Sequence, residues 1–380
     1  MYRNLYIVPA IRCLAMNSES NTEHSATSSS TVTLDIKDQK IVHELDHNPR
    51  MSTSQLGKKV RLSQQVVDYR IKRLQEQGII TSFGTIINTG KLGYQQYRLL
   101  LQLSSVGEGE KKKIIQYLVE HRRVYWAALV GNRWDLFVVV FVRNYHELES
   151  FLDELFTKFP KSLKDYEALQ TLYHEFYLHR FLGKSDGEHK KNYEHSGSSE
   201  SKTIRFDLGR EEKTEKLDAI DIQILNVLKN NCRTASLEIG RRCNVSYKTV
   251  QNRIREMEKK EVIAGYRLFL RSEKYHFPAY LVLISFSSYG REVEKKIFSY
   301  AEQNPFITQA TKLFGRWSLL LHFRAPSTKD LQNAIIDLRN RYSVIANVEI
   351  IPIFEDIAIK HLPMGDEIAE WIGKRKEKSK

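Results

Sequence analysis

Apolar residues recur at helical spacing at Ile36, Ile41, Val42 and Leu45, and again at Ile220, Ile224, Leu225 and Leu228, which predicts a helix at each place. After the first, Ser52 or Thr53 can cap a short second helix that carries Leu56 and Val60. Arg61 and Leu62 read as a tight turn, Ser63 as the cap of a third helix with the apolar stripe Val67, Ile71 and Leu74, and Gly78 as its left-handed stop. The period then changes. Strands are predicted at 97–103, 124–130, 136–142 and 166–173, with helices at 110–121 and 145–159 and a Gly131-Asn132 turn between the central strands. The same order returns at 279–286, 291–303, 306–314, 317–323, 328–342 and 344–354. Strand-helix-strand-strand-helix-strand is the βαββαβ, ferredoxin-like order, so the fold class is α+β: two copies of a winged-type helix-turn-helix, each followed by a ferredoxin-like domain. Such a sheet carries both helices on one face and leaves the other to be covered, which predicts association through sheets.

The two halves are related by a repeat at an offset of 183 residues. Laid over 217–266 without a gap, 34–83 is identical at 13 of 50 positions, among them Asp35/Asp218, Asp38/Asp221, Arg50/Arg233, Gly57/Gly240, Ser63/Ser246 and Arg70/Arg253. Average composition gives about one identity in sixteen, so the chain reads as a duplication. The expected organisation is an arm at 1–33, helix-turn-helix domains at 34–83 and 217–266, ferredoxin-like domains at 94–182 and 277–363, a Ser-, Glu- and Lys-rich linker at 183–215, and a basic tail at 364–380. The arm is Ser- and Thr-rich and reads as disordered, with Met16 a candidate alternative start.

Composition narrows the function. The 380 residues carry 59 Lys plus Arg against 46 Asp plus Glu, a formal charge of +13 that favours polyanionic partners. The longest pure apolar run, 136–142, is far too short for a bilayer, so no membrane partner is expected. Cys13, Cys232 and Cys243 lack metal-like spacing and suit a reducing, cytoplasmic setting. His43 and His47 are four apart without a third ligand nearby, and no phosphate loop or nucleophile motif appears; hence no metal, no cofactor and no enzyme activity is expected. Trp126, Trp134 and Trp317 fall in or beside strands and read as sheet-interface residues.

With Val67, Ile71 and Leu74 buried, Gln65, Asp68, Tyr69 and Lys72 point outward; in the second copy Val250, Ile254 and Met257 leave Lys248, Gln251, Asn252 and Arg255 outward. Arg and Lys match guanine O6/N7, and Asn and Gln match adenine N6/N7, so double-stranded DNA is the expected partner. The alternative for any single helix is a solvated polar face. Local charge favours DNA: residues 58–73 hold six cations against Asp68, and 241–255 hold five cations and no acid. The candidate DNA-binding set is Lys58, Lys59, Arg61, Ser63, Gln64, Gln65, Asp68, Tyr69, Lys72 and Arg73 in the first copy, and Arg241, Arg242, Ser246, Tyr247, Lys248, Gln251, Asn252 and Arg255 in the second. Arg70 and Arg253 fit either DNA contact or a structural tie to Asp38 and Asp221.

The segments LDIKDQKIVHEL, NPRMSTSQLGKKVRLSQQVVDYRIKRLQEQGII and KLGY resemble the Lrp/AsnC family of leucine-responsive, or feast/famine, transcription regulators. The resemblance covers 34 to about 182 well and 217 to about 363 more weakly. It implies a sequence-specific DNA-binding regulator, an intramolecular pseudo-dimer because two units share one chain, and assembly into homo-oligomers. It also implies an amino-acid effector held between ferredoxin-like domains near the turn of the central strands. The family's Gly-x-x-Asp turn is similar to Gly131–Asp135, with one extra residue, and to Gly315–Ser318, which lacks the Asp. Gly131, Asp135 and Gly315 are therefore effector-binding candidates; a glycine demanded by the turn and an Asp that caps it is the other reading. Relatives of the same architecture that resemble tetrapyrrole (sirohaem-type) decarboxylases supply the enzyme alternative.

Overall fold

The structure, a computed structural model, describes residues 34–183, 203–208 and 214–359, apart from 230, 272–273, 275–276 and 289. The arm at 1–33 and the tail at 364–380 lie outside the described residues.

The first copy opens with α1 (Ile36–His47), α2 (Thr53–Val60) and α3 (Gln64–Glu76). Each start is fixed by a side chain: Asp35 accepts from Asp38 N, Ser52 and Gln55 form a reciprocal capping box, and Ser63 accepts from Val66 N. Ile41, Val42, Leu45, Leu56, Val60, Val67, Ile71 and Leu74 form one buried cluster. Ile36 is not part of it. It lies five residues before Ile41, which is about 140° away on a helix, so it stays 67% exposed and Asp38 takes the inward position instead.

The bend between α2 and α3 has a specific requirement. Arg61 adopts φ 56°, and Leu62 N donates to Gly57 O at 2.9 Å. A Cβ on Gly57 would lie 2.7 Å from Leu62 O. In the second copy, α6 (Ala219–Leu228), α7 (Ser236–Cys243) and α8 (Tyr247–Lys259) repeat this arrangement with Asn244 at φ 55° and a Gly240 Cβ that would meet Val245 O at 2.6 Å. The shared glycine is thus a close-approach residue in both turns. Gly78 follows α3 at φ 70°, as expected of a left-handed stop, whereas the same place after α8 is filled by Glu261 at φ 57°.

The strand after each third helix does not fold back on its own half. β1 (Ile80–Ile87) pairs antiparallel with β7 (Ile263–Leu270), in register Phe83↔Leu268, Gly84↔Arg267 and Thr85↔Tyr266. Contacts across the pair are reciprocal. Arg50 donates to Tyr266 Oη at 2.8 Å and lies 4.7 Å from its ring; Arg233 lies 5.0 Å from the Phe83 ring and donates to Pro49 O at 2.7 Å.

The remaining elements are β2 (Gln95–Leu103), α4 (Glu108–Glu120), β3 (Val124–Val130), β4 (Leu136–Val142), α5 (Tyr145–Lys158), β5 (Leu163–Phe176) and β6 (Ile204–Asp207). In the second copy β8 (Ala279–Phe286), α9 (Arg291–Gln303), β9 (Ile307–Phe314), β10 (Leu319–Arg324), α10 (Thr328–Arg341) and β11 (Ile345–Ile359) follow β7. The chain divides into two compact units. One contains residues 93–171 and 351–359; the other contains 34–92 and 172–350, hence both helix-turn-helix copies. The first unit has strand order β5-β2-β4-β3, with the last residues of β11 added beside β3, and its two helices pack on one face through Ile114, Leu118, Phe151 and Leu155. In the second unit β11 starts beside β8, followed by β10 and β9, with the end of β5 and then β6 beyond; Ile297, Phe298, Leu331 and Leu338 supply its helix-side core.

Two expectations need correction. The stretch 183–215 is not simply a linker: Gly183 closes a 3-10 turn, Ile204–Asp207 pairs with the end of β5, and Glu215 N donates to Lys91 O at 2.7 Å. Residues 184–202 and 209–213 of it lie outside the described residues. The last strands also run further than the pattern indicates, 14 residues for β5 and 15 for β11, because polar residues such as His174 and Glu175 are buried at the end of β5 and mask the apolar alternation.

Candidate nucleic-acid interface and effector turns

On α3, with Val67, Ile71 and Leu74 turned inward, Gln64, Gln65, Asp68, Tyr69 and Lys72 are all exposed; on α8, so are Tyr247, Lys248, Gln251, Asn252 and Arg255. Lys58, Lys59, Arg61, Arg241 and Arg242 are exposed beside them. Ser63 and Ser246 are exposed N-caps, accepting from Val66 N at 3.3 Å and Thr249 N at 3.1 Å. Three of these cations are paired within the protein: Lys59 with Glu44 at 2.7 Å, Arg242 with Glu238 at 2.8 Å and Lys72 with Glu76 at 3.8 Å. All three are solvent-exposed pairs, each worth little to stability.

Arg73 is the exception. It is half-buried, and its guanidinium donates to Asp38 Oδ2, so it anchors α3 to α1 instead of facing outward. Arg70 does the same, reaching Asp35 at 2.6 Å and Asp38 at 2.8 Å; Arg253 reaches Asp218 at 2.8 Å and Asp221 at 3.4 Å. Of the two readings of Arg70 and Arg253, the structural tie is the one realised. The reciprocal roles of Arg50 and Arg233 were visible only as a repeat identity; what they touch depends on the pairing of β1 with β7.

The turn between β3 and β4 uses its residues for backbone purposes. Asp135 Oδ2 accepts from Leu103 N at 2.7 Å, and its own N donates to Leu101 O at 2.9 Å. A Cβ on Gly131 would meet the Phe354 ring at 2.6 Å and Pro352 at 2.9 Å, and Gly131 N donates to Pro352 O at 2.9 Å. The positive φ belongs to Asn132, at 71°, one residue later. In the second copy Gly315 itself has φ 141°, and Ser318 N donates to Ile284 O at 2.9 Å, as Asp135 N does to Leu101 O. Gly131, Asp135 and Gly315 therefore each have a structural task.

A groove of about 600 Å³ lies elsewhere in the second unit, between β5, β6 and α9. Glu175, buried at its wall, accepts from Tyr173 Oη at 2.7 Å, Tyr177 Oη at 2.8 Å and Arg205 Nε at 2.9 Å. Burial, reinforced by Glu175, pushes both phenol pKa values up, so the tyrosines remain neutral donors. Glu294, Lys312, Glu302 and Phe298 complete the wall, with Lys312 and Glu294 paired at 2.7 Å. No sequence motif marked this groove, because β6, which supplies Arg205, sits in a polar tract. Among the described residues no helix is long and apolar enough to cross a membrane, and no cluster of three metal-binding side chains forms.

Residues 217–258 match the AsnC-type helix-turn-helix domain and 34–81 a winged helix-turn-helix DNA-binding domain. An HTH-type transcriptional regulator of Pyrococcus horikoshii is 30% identical over 128 residues, 33% of this chain and 79% of its own length. The HTH-type transcriptional regulator FL11 of Pyrococcus abyssi is 29% identical over 122 residues, 32% of this chain and 80% of its own. The chain belongs to the Lrp/AsnC family. As an Lrp/AsnC protein it is a DNA-binding transcription regulator with helix-turn-helix and ferredoxin-like parts, present twice. The siroheme decarboxylase NirDL matches 89% of this chain and 97% of its own with a TM-score of 0.57 at 10% identity. At that identity the likeness extends to the fold and no further.

Proposed function

We propose that a single chain reads a non-palindromic site on duplex DNA, using α3 and α8 as two unlike recognition helices. One observation carries this reading: both helices belong to the same compact unit, joined through β1 and β7, and their exposed residues differ at every outward position. Direct readout is assigned to Gln65, Asp68, Tyr69 and Lys72 on one helix and to Lys248, Gln251, Asn252 and Arg255 on the other. Lys58, Lys59, Arg61, Arg241 and Arg242 position the protein on phosphates, with Ser63, Gln64, Ser246 and Tyr247 at the helix starts. Assembly of chains into homo-oligomers through the ferredoxin-like domains is part of the same reading.

For a small effector, the groove at Glu175 is the better seat than the Gly131 and Gly315 turns, whose residues are occupied by backbone contacts. Its carboxylates, cations and aromatic walls suit a zwitterion of amino-acid size. Equilibrium binding of the full chain to duplex DNA, repeated over a salt series and with an amino-acid panel, tests both parts. With about six phosphate contacts the logarithm of affinity should fall with that of salt at a slope of about −5. Affinity insensitive to salt would contradict the DNA reading; a panel in which no amino acid changes affinity or melting temperature would remove the effector.

A further inference from the structure

The repeat places the pseudo-twofold axis of the β1–β7 ribbon on one residue pair. Gly84 and Arg267 are equivalent by the 183-residue offset, and they face each other across the ribbon. Phe83 opposes Leu268, the equivalent of Thr85, and Thr85 opposes Tyr266, the equivalent of Phe83. Two identical copies would place a residue opposite itself at this point. Here a residue without a side chain opposes one of the longest.

The consequences are local and physical. Arg267 is 9% exposed; its guanidinium donates to Thr308 O at 3.2 Å, approaches His179 Nε2 at 3.5 Å and lies 4.9 Å from the Phe176 ring. His179 is in turn bonded to Asp46, at 2.7 Å through Nδ1 and 2.5 Å through its backbone N. On the other side, the Phe269 ring fills the space above Gly84, where a Cβ would lie 2.4 Å away. The equivalents of Asp46 and Phe269 in the opposite copy are Lys229 and Ile86. A ribbon of two β7 strands would therefore bury two Arg267 side chains about 5 Å apart at Cβ, with Lys229 where the acid should be. A ribbon of two β1 strands would oppose Gly84 to Gly84, with Ile86 too small to fill the hollow.

We infer that the Gly84–Arg267 axis, with Phe269, makes the two helix-turn-helix halves selective partners for each other and excludes a like half as partner, including that of a second copy of this chain. Each chain then presents one α3 and one α8, and a further chain adds another unlike pair instead of exchanging halves. The inference concerns pairing alone and stands or falls independently of what the helices read on DNA.

The test uses full-length protein carrying F83C/L268C, a directly opposed pair, with Cys232→Ala because that thiol lies beside position 83, and follows the rate of thiol crosslinking within one chain against the C232A parent. Two sets of changes are compared in that background. G84R/I86F makes the axis resemble two β7 strands, and R267G/F269I makes it resemble two β1 strands. The two like-with-like versions should slow crosslinking within the chain by about tenfold, with helical circular dichroism retained. R267G/F269I introduces neither clash nor buried charge, so it reports pairing even where G84R/I86F fails to fold. Rates equal to that of the unaltered axis in both versions would overturn selectivity at the axis.

Discussion

Asp38 shows what one residue contributes to this architecture. It is buried beneath α3, accepts from both Arg70 and Arg73, and holds the recognition helix at its angle to α1. Removing it would leave Arg73 without its acid and Arg70 with Asp35 alone, so Asp38→Ala should cost about 2 kcal/mol in a denaturant titration, more than Asp221→Ala in the less enclosed second copy. A change of less than 1 kcal/mol would mean that the tie is ornamental. Glu261 offers the opposite sign. It holds φ 57° where Gly78 stands in the first copy, and Glu261→Gly should raise stability by about 0.5 kcal/mol, checked by thermal melting. His179 adds a pH dependence: burial holds its pKa below the usual histidine value of 6.5. A depressed base is protonated more readily when unfolded, so stability should fall as pH drops below about 6.5, and His179→Gln should flatten that slope. The pairing of Asp38 with Arg70 was foreshadowed by repeat identities. That of Asp46 with His179 was not, because their 133-residue separation carries no local pattern.

Elements were legible wherever the apolar period was strong. The strands 124–130, 136–142 and 279–286 and the helix 291–303 agree with the pattern residue for residue. β6 was not legible, since four residues flanked by polar sequence give no period, and its strand form comes from pairing with β5. The partner of β1 was equally hidden: a strand's sequence indicates which face is apolar but not which edge it joins. The two turn glycines had the same status, conspicuous as an identity but explained only by the carbonyl each approaches. Gly57→Ala and Gly240→Ala should each destabilise by about 2 kcal/mol and, by moving the third helix, weaken DNA binding in proportion. At the recognition helices, Lys72→Ala and Arg255→Ala should reduce discrimination between a selected site and random DNA, while Lys58→Ala and Arg241→Ala should weaken both alike. Competition binding with the two DNAs separates these outcomes; equal losses for all four variants would contradict the orientation of α3 and α8.

For the whole molecule, duplication does more than double a regulator. The equivalent halves have diverged where symmetry would matter most: at Gly84 and Arg267 on the ribbon axis, and at the outward positions of α3 and α8. A regulator built from identical subunits reads a palindrome because its two recognition helices are the same. This chain carries Asp68 and Tyr69 where the other half has Gln251 and Asn252, so its half-sites should differ in sequence as well as in strand. Selection of bound duplexes from a random pool by the full-length protein, with the oligomeric state measured on the same sample, tests this most directly. The predicted result is a site of two unlike halves spaced by about one helical turn or a multiple, with palindromy appearing only where two chains bind together. A short palindrome selected by single chains, or selection unchanged after deletion of residues 217–380, would contradict it.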